Sequence, residues 1–193
     1  MLRIGTWKPA VSPIPPAGAP ADVVVCGWHD SGPPPCATGV KIIYTLDGPV
    51  PEFPGLRVGR PVARGAEEIA ELLLQGADVV LTAPGGCPAA PVVAAGIWHY
   101  GWTRDDAGPL AGATVAGLAL AAQPGPCSAE IRRDGRSSLD GGVSAAAIRA
   151  RLADRFSGGR YRTPEVTVPL ESVRLSQEAP SRIGIALHAE AAS

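Results

Sequence analysis

Apolar residues gather in short compact runs at 2–7, 21–26, 40–46 and 77–82, each bounded by Gly, Pro or polar residues. Runs of this length with many β-branched side chains read as strands. Those at 21–26 (Ala-Asp-Val-Val-Val-Cys) and 77–82 (Ala-Asp-Val-Val-Leu-Thr) are apolar at consecutive positions, as in strands buried on both faces. Between the third and fourth runs the period changes. Ala66, Ile69, Ala70 and Leu73 share one helical face, with Glu67, Glu68, Glu71 and Gln75 on the other. Acidic residues suit the first turn of that helix, and Gly76 stands where a C-terminal cap belongs. A helix leading straight into an apolar strand is half of a parallel β-α-β unit.

Beyond the turn at 83–88 an apolar helix is predicted over 89–100, with Pro91 tolerated in its first turn and 101–102 ending it. A helix of small residues follows at 110–122, and its alanines and glycines imply close packing by a neighbouring helix or a ligand. Residues 125–142 read as a polar loop holding a short strand at 129–132. Ser144 then caps a helix in which Ile148, Leu152 and Phe156 recur every four residues. Alternation at 165–176 and 181–189 predicts a terminal hairpin. The stretches 8–20, 27–39 and 48–61 are rich in Pro and Gly and read as loops or crossings. The pattern predicts one α/β domain spanning 1–193: three-layer, with a mostly parallel sheet, flanking helices and a small C-terminal β-hairpin.

Composition narrows the partners. The 193 residues suffice for one sizeable core. A net charge of −1 with 18% charged residues leaves no electrostatic footprint for nucleic acid or for a membrane surface. Residues 1–7 do not resemble a signal peptide, and the most apolar stretch, 88–98, is far shorter than a membrane span. A cytoplasmic location is therefore expected. Cys26, Cys36, Cys87 and Cys127 form no C-x-x-C pair, so reduced thiols are expected there.

In open parallel sheets ligands sit beyond the carboxyl ends of the strands. Three loops qualify, after Cys26, after Leu46 and after Thr82. The last has Gly85 and Gly86, which let backbone approach a ligand, and a helix start that offers free amides. Cys87 at that start is a candidate for a lowered pKa; the bland alternative is a buried thiol in a tight turn. His29 and Asp30 follow a buried strand and could do acid–base work, with Trp28 lining the site; an ordinary polar loop is the alternative. His99 stands between Trp98 and Tyr100 in an apolar helix, as a catalytic group or a core histidine. The expected site combines His29, Asp30, Cys87 and His99 as catalytic residues with Thr82, Gly85, Gly86 and Trp28 as substrate contacts. Cys26 and His29 could begin a metal site, but Cys87 and Cys127 bring no nearby second ligand, so no metal is expected. The turn lacks the Gly-Lys-Ser/Thr ending of a P-loop, and no cofactor is expected.

Several blocks resemble the acyclic terpene utilisation (AtuA) family in order and content. They are the helix–strand segment 65–82, Ile97-Trp-His-Tyr-Gly-Trp-Thr-Arg-Asp-Asp106, and Leu110-Ala-Gly-Ala-Thr-Val-Ala-Gly117. A further set comprises Ala129-Glu-Ile, Asp134-Gly135, Gly141-Gly-Val-Ser144, Arg160-Tyr-Arg-Thr-Pro-Glu-Val166 and Ser172-Val-Arg-Leu175. The resemblance spans about 57–186 and implies a shortened, diverged member. The family's Thr-Gly-Arg and Val-Ala-Asp are replaced here by Thr82-Ala-Pro-Gly-Gly-Cys-Pro88, which keeps only the threonine. Its Glu-Cys-Gly-Ala-Gln run gives way to Ala121-Ala-Gln-Pro-Gly-Pro-Cys127.

The family's association is with breakdown of acyclic isoprenoids and related branched acyl chains. Two functions follow as expectations. One is a small metabolic enzyme acting on an apolar acyl, isoprenoid or polyketide-like substrate by acid–base chemistry: hydration, dehydration or isomerisation. Its substrate would be a small molecule, free or thioester-linked. The other is a non-catalytic partner subunit of a heteromeric AtuA-like complex. Either a homo-oligomer or a heteromer with a second AtuA-like chain is expected, since few charges and a small-residue helix leave apolar surface to cover.

Overall fold

The computed structural model describes residues 1–7, 21–27, 39–46, 52–63, 65–125, 127–142 and 144–188. The apolar runs form strands β1 (Leu2–Trp7), β2 (Val23–Gly27), β3 (Lys41–Thr45) and β5 (Val79–Thr82), with β4 (Val58–Ala63) between the last two in sequence. Helices α1 (Ala66–Leu74), α2 (Ala90–Tyr100) and α3 (Ala107–Ala121) follow the predicted order. Then come β6 (Ser128–Ile131), β7 (Ser137–Asp140), α4 (Ala145–Arg155), β8 (Arg160–Arg162), β9 (Thr167–Pro169), β10 (Val173–Ala179) and β11 (Arg182–Leu187).

Nine strands make one sheet in the order β10-β11-β7-β6-β1-β2-β3-β5-β4, and β8 pairs with β9 in a separate ribbon. The half from β1 to β4 is parallel throughout. The half from β6 to β10 is antiparallel and joins β1 through Leu2↔Ile131 and Ile4↔Ala129. Strands 21–26, 40–46 and 77–82 of the sequence reading are thus adjacent, as β2, β3 and β5. The sheet belongs to the expected α/β class, with seven of its nine strands pointing one way.

The predicted C-terminal hairpin is β10–β11, and it is the outer edge of the main sheet rather than an appendage. Its first arm begins later than the alternation suggests, because Thr167–Pro169 turns away to pair with Arg160–Arg162. Two further strands arise where loops were read. β4 overlaps the end of the Pro-rich crossing, and its pairing with β5 breaks between Gly59 and Ala63. Pro61 falls in that gap, and a residue without an N–H is tolerated on an edge strand. β6 and β7 form a hairpin across a turn closed by Arg132 N to Arg136 O at 2.9 Å. Only alternate residues of these four-residue strands are buried, so they carry little apolar signal.

Side-chain alternation sorts the core onto two faces. Leu2, Ile4, Val23, Ile43 and Val80 pack against all four helices. Cys26, Ile42, Tyr44, Val79 and Leu81 form a second cluster with Phe53, flanked by Leu46, Leu56 and Val58. Among the described residues the helices therefore lie on one face, and the layer on the other is irregular chain. At the amino end of β5, Lys41 Nζ meets Asp78 Oδ1 at 2.9 Å and the Arg57 amide donates to Asp78 Oδ2 at 3.1 Å. The lysine bond, then the amide, hold the Asp78 carboxyl below its ordinary range and tie β3, β4 and β5 together.

Helix α3 is buried from Leu110 through Leu120 and packs on α2, α4 and the antiparallel half of the sheet. It starts three residues earlier than predicted, because Gly108 and Pro109 fall in the first turn, where a missing N–H costs nothing. Backbone meets backbone at two of its glycines. A methyl added at Gly112 would run into the Gly135 carbonyl, and one added at Gly117 into Ala89. Gly112→Ala should therefore destabilise the fold by about 1–3 kcal/mol, as an overpacking change whose obstacle is main chain. A denaturant midpoint equal to that of the unmodified protein would show that α3 has room to move.

Candidate functional site

The carboxyl ends of the parallel strands carry hydroxyls on the helix-bearing face: Thr6 on β1, Thr45 on β3 and Thr82 on β5. Thr82 is buried, and its hydroxyl donates to Thr45 Oγ1 at 3.0 Å, joining two strands in register. Thr6 accepts from the Cys127 amide at 3.1 Å, and its own amide donates to Cys127 O at 2.8 Å. Buried Cys127 is thereby part of the seam between β1 and the antiparallel half.

After Thr82 the chain turns through 83–88 into α2. Gly85 has φ 73°, a left-handed conformation that a side chain would strain, and both it and Gly86 are exposed. Cys87 follows, half-buried three residues ahead of the first residue of α2. Its Sγ lies 3.4 Å from the Tyr161 hydroxyl. Tyr161 reaches it from β8, where Arg160 and Arg162 are exposed and Tyr161 alternates inward, its ring tilted against Phe156 with centroids 5.6 Å apart. Burial first, then the hydrogen bond to Cys87, pushes the phenol up to about 12. It is a firmly protonated donor at neutral pH, and Arg155 of α4 acts weakly in the opposite direction.

The predicted residues separate into three groups. Thr82, Gly85, Gly86 and Cys87 share one strand–turn–helix unit at the carboxyl end of β5. Trp28, His29 and Asp30 lie outside the described residues. His99 is exposed in the last turn of α2, with its ring edge-on to Tyr100 at 4.6 Å. It does not join Cys87. Twelve positions separate them in sequence, and an 11-residue helix spans about 16 Å. Its apolar neighbours suggested a core position, but burial in α2 ends at Gly96 and the final turn emerges from the core. Tyr161 was not singled out from sequence. The available signal was a lone aromatic between two arginines in a three-residue strand.

Among the described residues no group of His, Cys, Asp and Glu side chains is placed to hold a metal ion, and no helix is long and apolar enough to cross a membrane. No disulfide joins Cys26, Cys87 and Cys127 to one another; Cys36 lies outside the described residues.

The parallel α/β half-sheet ends in a glycine turn at its carboxyl edge, where a thiol and a phenol meet, the position at which open α/β sheets generally hold ligands. Residues 62–121 match the family model described as acyclic terpene utilisation family protein AtuA. The matched segment runs from the end of β4 through α1, β5 and α2 to the end of α3. It contains the Thr82–Cys87 turn and the first three blocks of the resemblance, and the chain is AtuA-like over that length, about a third of the whole. The blocks from Ala129 onward, and with them Tyr161, lie outside it. No curated protein and no solved structure matches the chain.

The shifted phenol has a consequence for stability. The folded chain holds the Tyr161 proton more tightly than an ordinary tyrosine with its value of 10.0. Stability from this group is full below pH 10 and is lost as pH rises towards 12. Tyr161→Phe should flatten the alkaline decline of the melting temperature relative to the unmodified protein. Identical profiles would mean that the phenol is not held in this way.

Proposed function

We propose that the chain is a small metabolic enzyme acting on an apolar acyl, isoprenoid or polyketide-like substrate by acid–base chemistry. The observation that carries this reading is the Cys87–Tyr161 pair beside the exposed Gly85–Gly86 turn. The turn gives a carbonyl or carboxylate oxygen of the substrate a backbone surface to approach, with no specific side chain required. In this reading the phenol stays protonated and donates a hydrogen bond, while Cys87, as its thiolate, takes the proton from the substrate carbon and returns one to it. In an enoyl substrate this pair would move a proton between carbon and solvent, the step shared by hydration, dehydration and isomerisation. The AtuA-like segment supports the substrate class, since its description names acyclic terpene utilisation. His29 and Asp30, which follow β2 in sequence, stand as further acid–base candidates in this reading.

A branched enoyl thioester tests it. The N-acetylcysteamine thioester of 3-methylbut-2-enoic acid, incubated with the protein in D2O, should lose proton signal by exchange or gain a hydroxyl by water addition, both visible by NMR. Cys87→Ser and Tyr161→Phe should each slow the change by roughly 10²–10⁴-fold while leaving the circular dichroism spectrum unaltered. The reading fails if neither exchange nor hydration occurs, or if both variants keep the full rate.

The same proposal places the chain in a homo-oligomer or with a second AtuA-like chain. Supporting this is Leu74, 66% exposed on α1. It borders a cleft of about 200 Å³ that it shares with Ile97 and Trp102. Light scattering should give a mass above the 19.6 kDa of one chain at tens of micromolar; a clean monomer would count against assembly.

A further inference from the structure

The main sheet ends on one side at β10, which has β11 as its neighbour and, among the described residues, no strand along its outer edge. An edge strand of seven residues with neither lysine nor proline is a template for pairing with another chain. The hydrogen-bond phase shows which groups it offers. His188 N donates to Ser172 O at 2.9 Å, one step beyond the Val173↔Leu187 partners. Bonded and non-bonded pairs alternate along an antiparallel ladder. Arg174 and Ser176 therefore turn their amides and carbonyls to β11, and Val173, Leu175 and Gln177 turn theirs outward. The Val173 carbonyl is accordingly free to accept Arg149 Nη2 from α4, at 3.4 Å. The register on β11 shifts between Gln177 and Ala179, so 173–177 is the regular part of the edge.

The side chains of β10 alternate as well. Val173 belongs to the core under the helices, and Arg174, Ser176 and Glu178 lie on the other face of the sheet. There a methyl added at Gly184 would meet both Ser176 Oγ and Glu178 Oε1. Glu178 accepts Ser138 Oγ at 3.1 Å and lies 3.4 Å from Arg182 Nε, yet its side chain stays 43% exposed, open to a second cation. Arg174 is exposed, and among the described residues its guanidinium meets the carbonyls of Glu171 and Val173 and no carboxylate.

One face of the strand thus runs cation, hydroxyl, anion. A two-fold axis at Ser176 that sets β10 antiparallel to its own copy places Arg174 across from Glu178 of the second copy, and the reverse. The same axis sets Leu175 across from Gln177 of the second copy. Both belong to the outward-facing set, so each such pair can exchange both of its N–H···O bonds. Other two-fold registers keep that phase but lose the charge match. An axis at Leu175 sets Arg174 against a serine, and one at Arg174 sets it against itself. Charge therefore selects Ser176. Over this edge α4 carries exposed Ala146, Ala150 and Ala153 on the stripe of Arg149, so that stripe presents little bulk to an incoming copy.

We infer that β10 is an interface between two copies of this chain, paired antiparallel about Ser176 into a sheet continuous across the dimer. The inference rests on the homo-oligomer reading above, on a surface apart from the Leu74 cleft, and uses nothing of the Cys87–Tyr161 site. Sedimentation velocity on the full chain, over a dilution series reaching tens of micromolar, should show a monomer–dimer equilibrium. Leu175→Pro removes an outward-facing amide that no intrachain ladder bond uses. It should keep the circular dichroism spectrum and sediment as a monomer. Arg174→Glu and Glu178→Arg each set like charges across the axis and should raise the dissociation constant by about tenfold or more. The double swap restores opposite charges and should bring the constant back to within about threefold of the unmodified protein. Glu178→Arg and the swap share the same loss inside the chain, so recovery between them reads the pairing between copies alone. Arg174 is exposed, and its variant keeps the test decisive even if Leu175→Pro does not fold. A dimer left unchanged by Leu175→Pro or by Arg174→Glu, or a swap that recovers nothing over Glu178→Arg, overturns this interface and leaves assembly standing. A monomer at every concentration overturns both.

Discussion

Helix α3 has no solvent side over most of its length, and the rest of the domain is arranged around that fact. A helix enclosed by two other helices, a ribbon and a sheet must let its neighbours come close. Gly112 against Gly135 and Gly117 against Ala89 are where they do so, backbone to backbone. Close approach gains dispersion contacts and excludes water, at the cost of the extra conformational freedom that glycine loses on folding. The Gly117 contact fixes the start of α2, and with it Cys87. The Gly135 contact fixes the β6–β7 turn. The proposed site thus takes its position from a helix that contributes no reactive side chain to it.

The parallel half of the fold was legible because burial on both faces leaves a compositional mark. Val23–Gly27 and Val79–Thr82 are apolar at nearly every position, as only a strand covered on both sides needs to be. Helix α1 was legible from its period, and α4 from a Ser144 hydroxyl that accepts the Ala147 amide at 3.3 Å. The antiparallel half was legible only in part, as the short strand at 129–132 and the terminal hairpin; Ser137–Asp140 buries two residues and reads as polar loop until it is paired. Local sequence does not announce such partners, because the stabilisation comes from strands distant in the chain.

The candidate site shows the same division. The Thr82–Cys87 turn could be read locally, since glycines between a buried strand and a helix have few other uses. Tyr161 could not, because its meeting with Cys87 spans 74 residues and depends on the β8–β9 ribbon folding over α3. His99 was misleading for a related reason. Sequence records that a helix is apolar, but not where along its axis the core ends.

Strand β1 occupies the seam of the sheet. Its left neighbour is β6 and its right neighbour is β2, while the Leu2 amide reaches Tyr100 across 98 residues. On the ribosome β1 emerges well before β6, so one of its edges stays unsatisfied until Ser128–Ile131 has been synthesised. At ordinary elongation rates of about 5–20 residues per second this leaves an apolar strand waiting for roughly 6–25 seconds. Long-range closure of this kind slows folding and exposes a sticky edge to other nascent chains. Strand β1 thus makes closure of the sheet a late event in synthesis, because its second edge is covered only by a strand far along the chain.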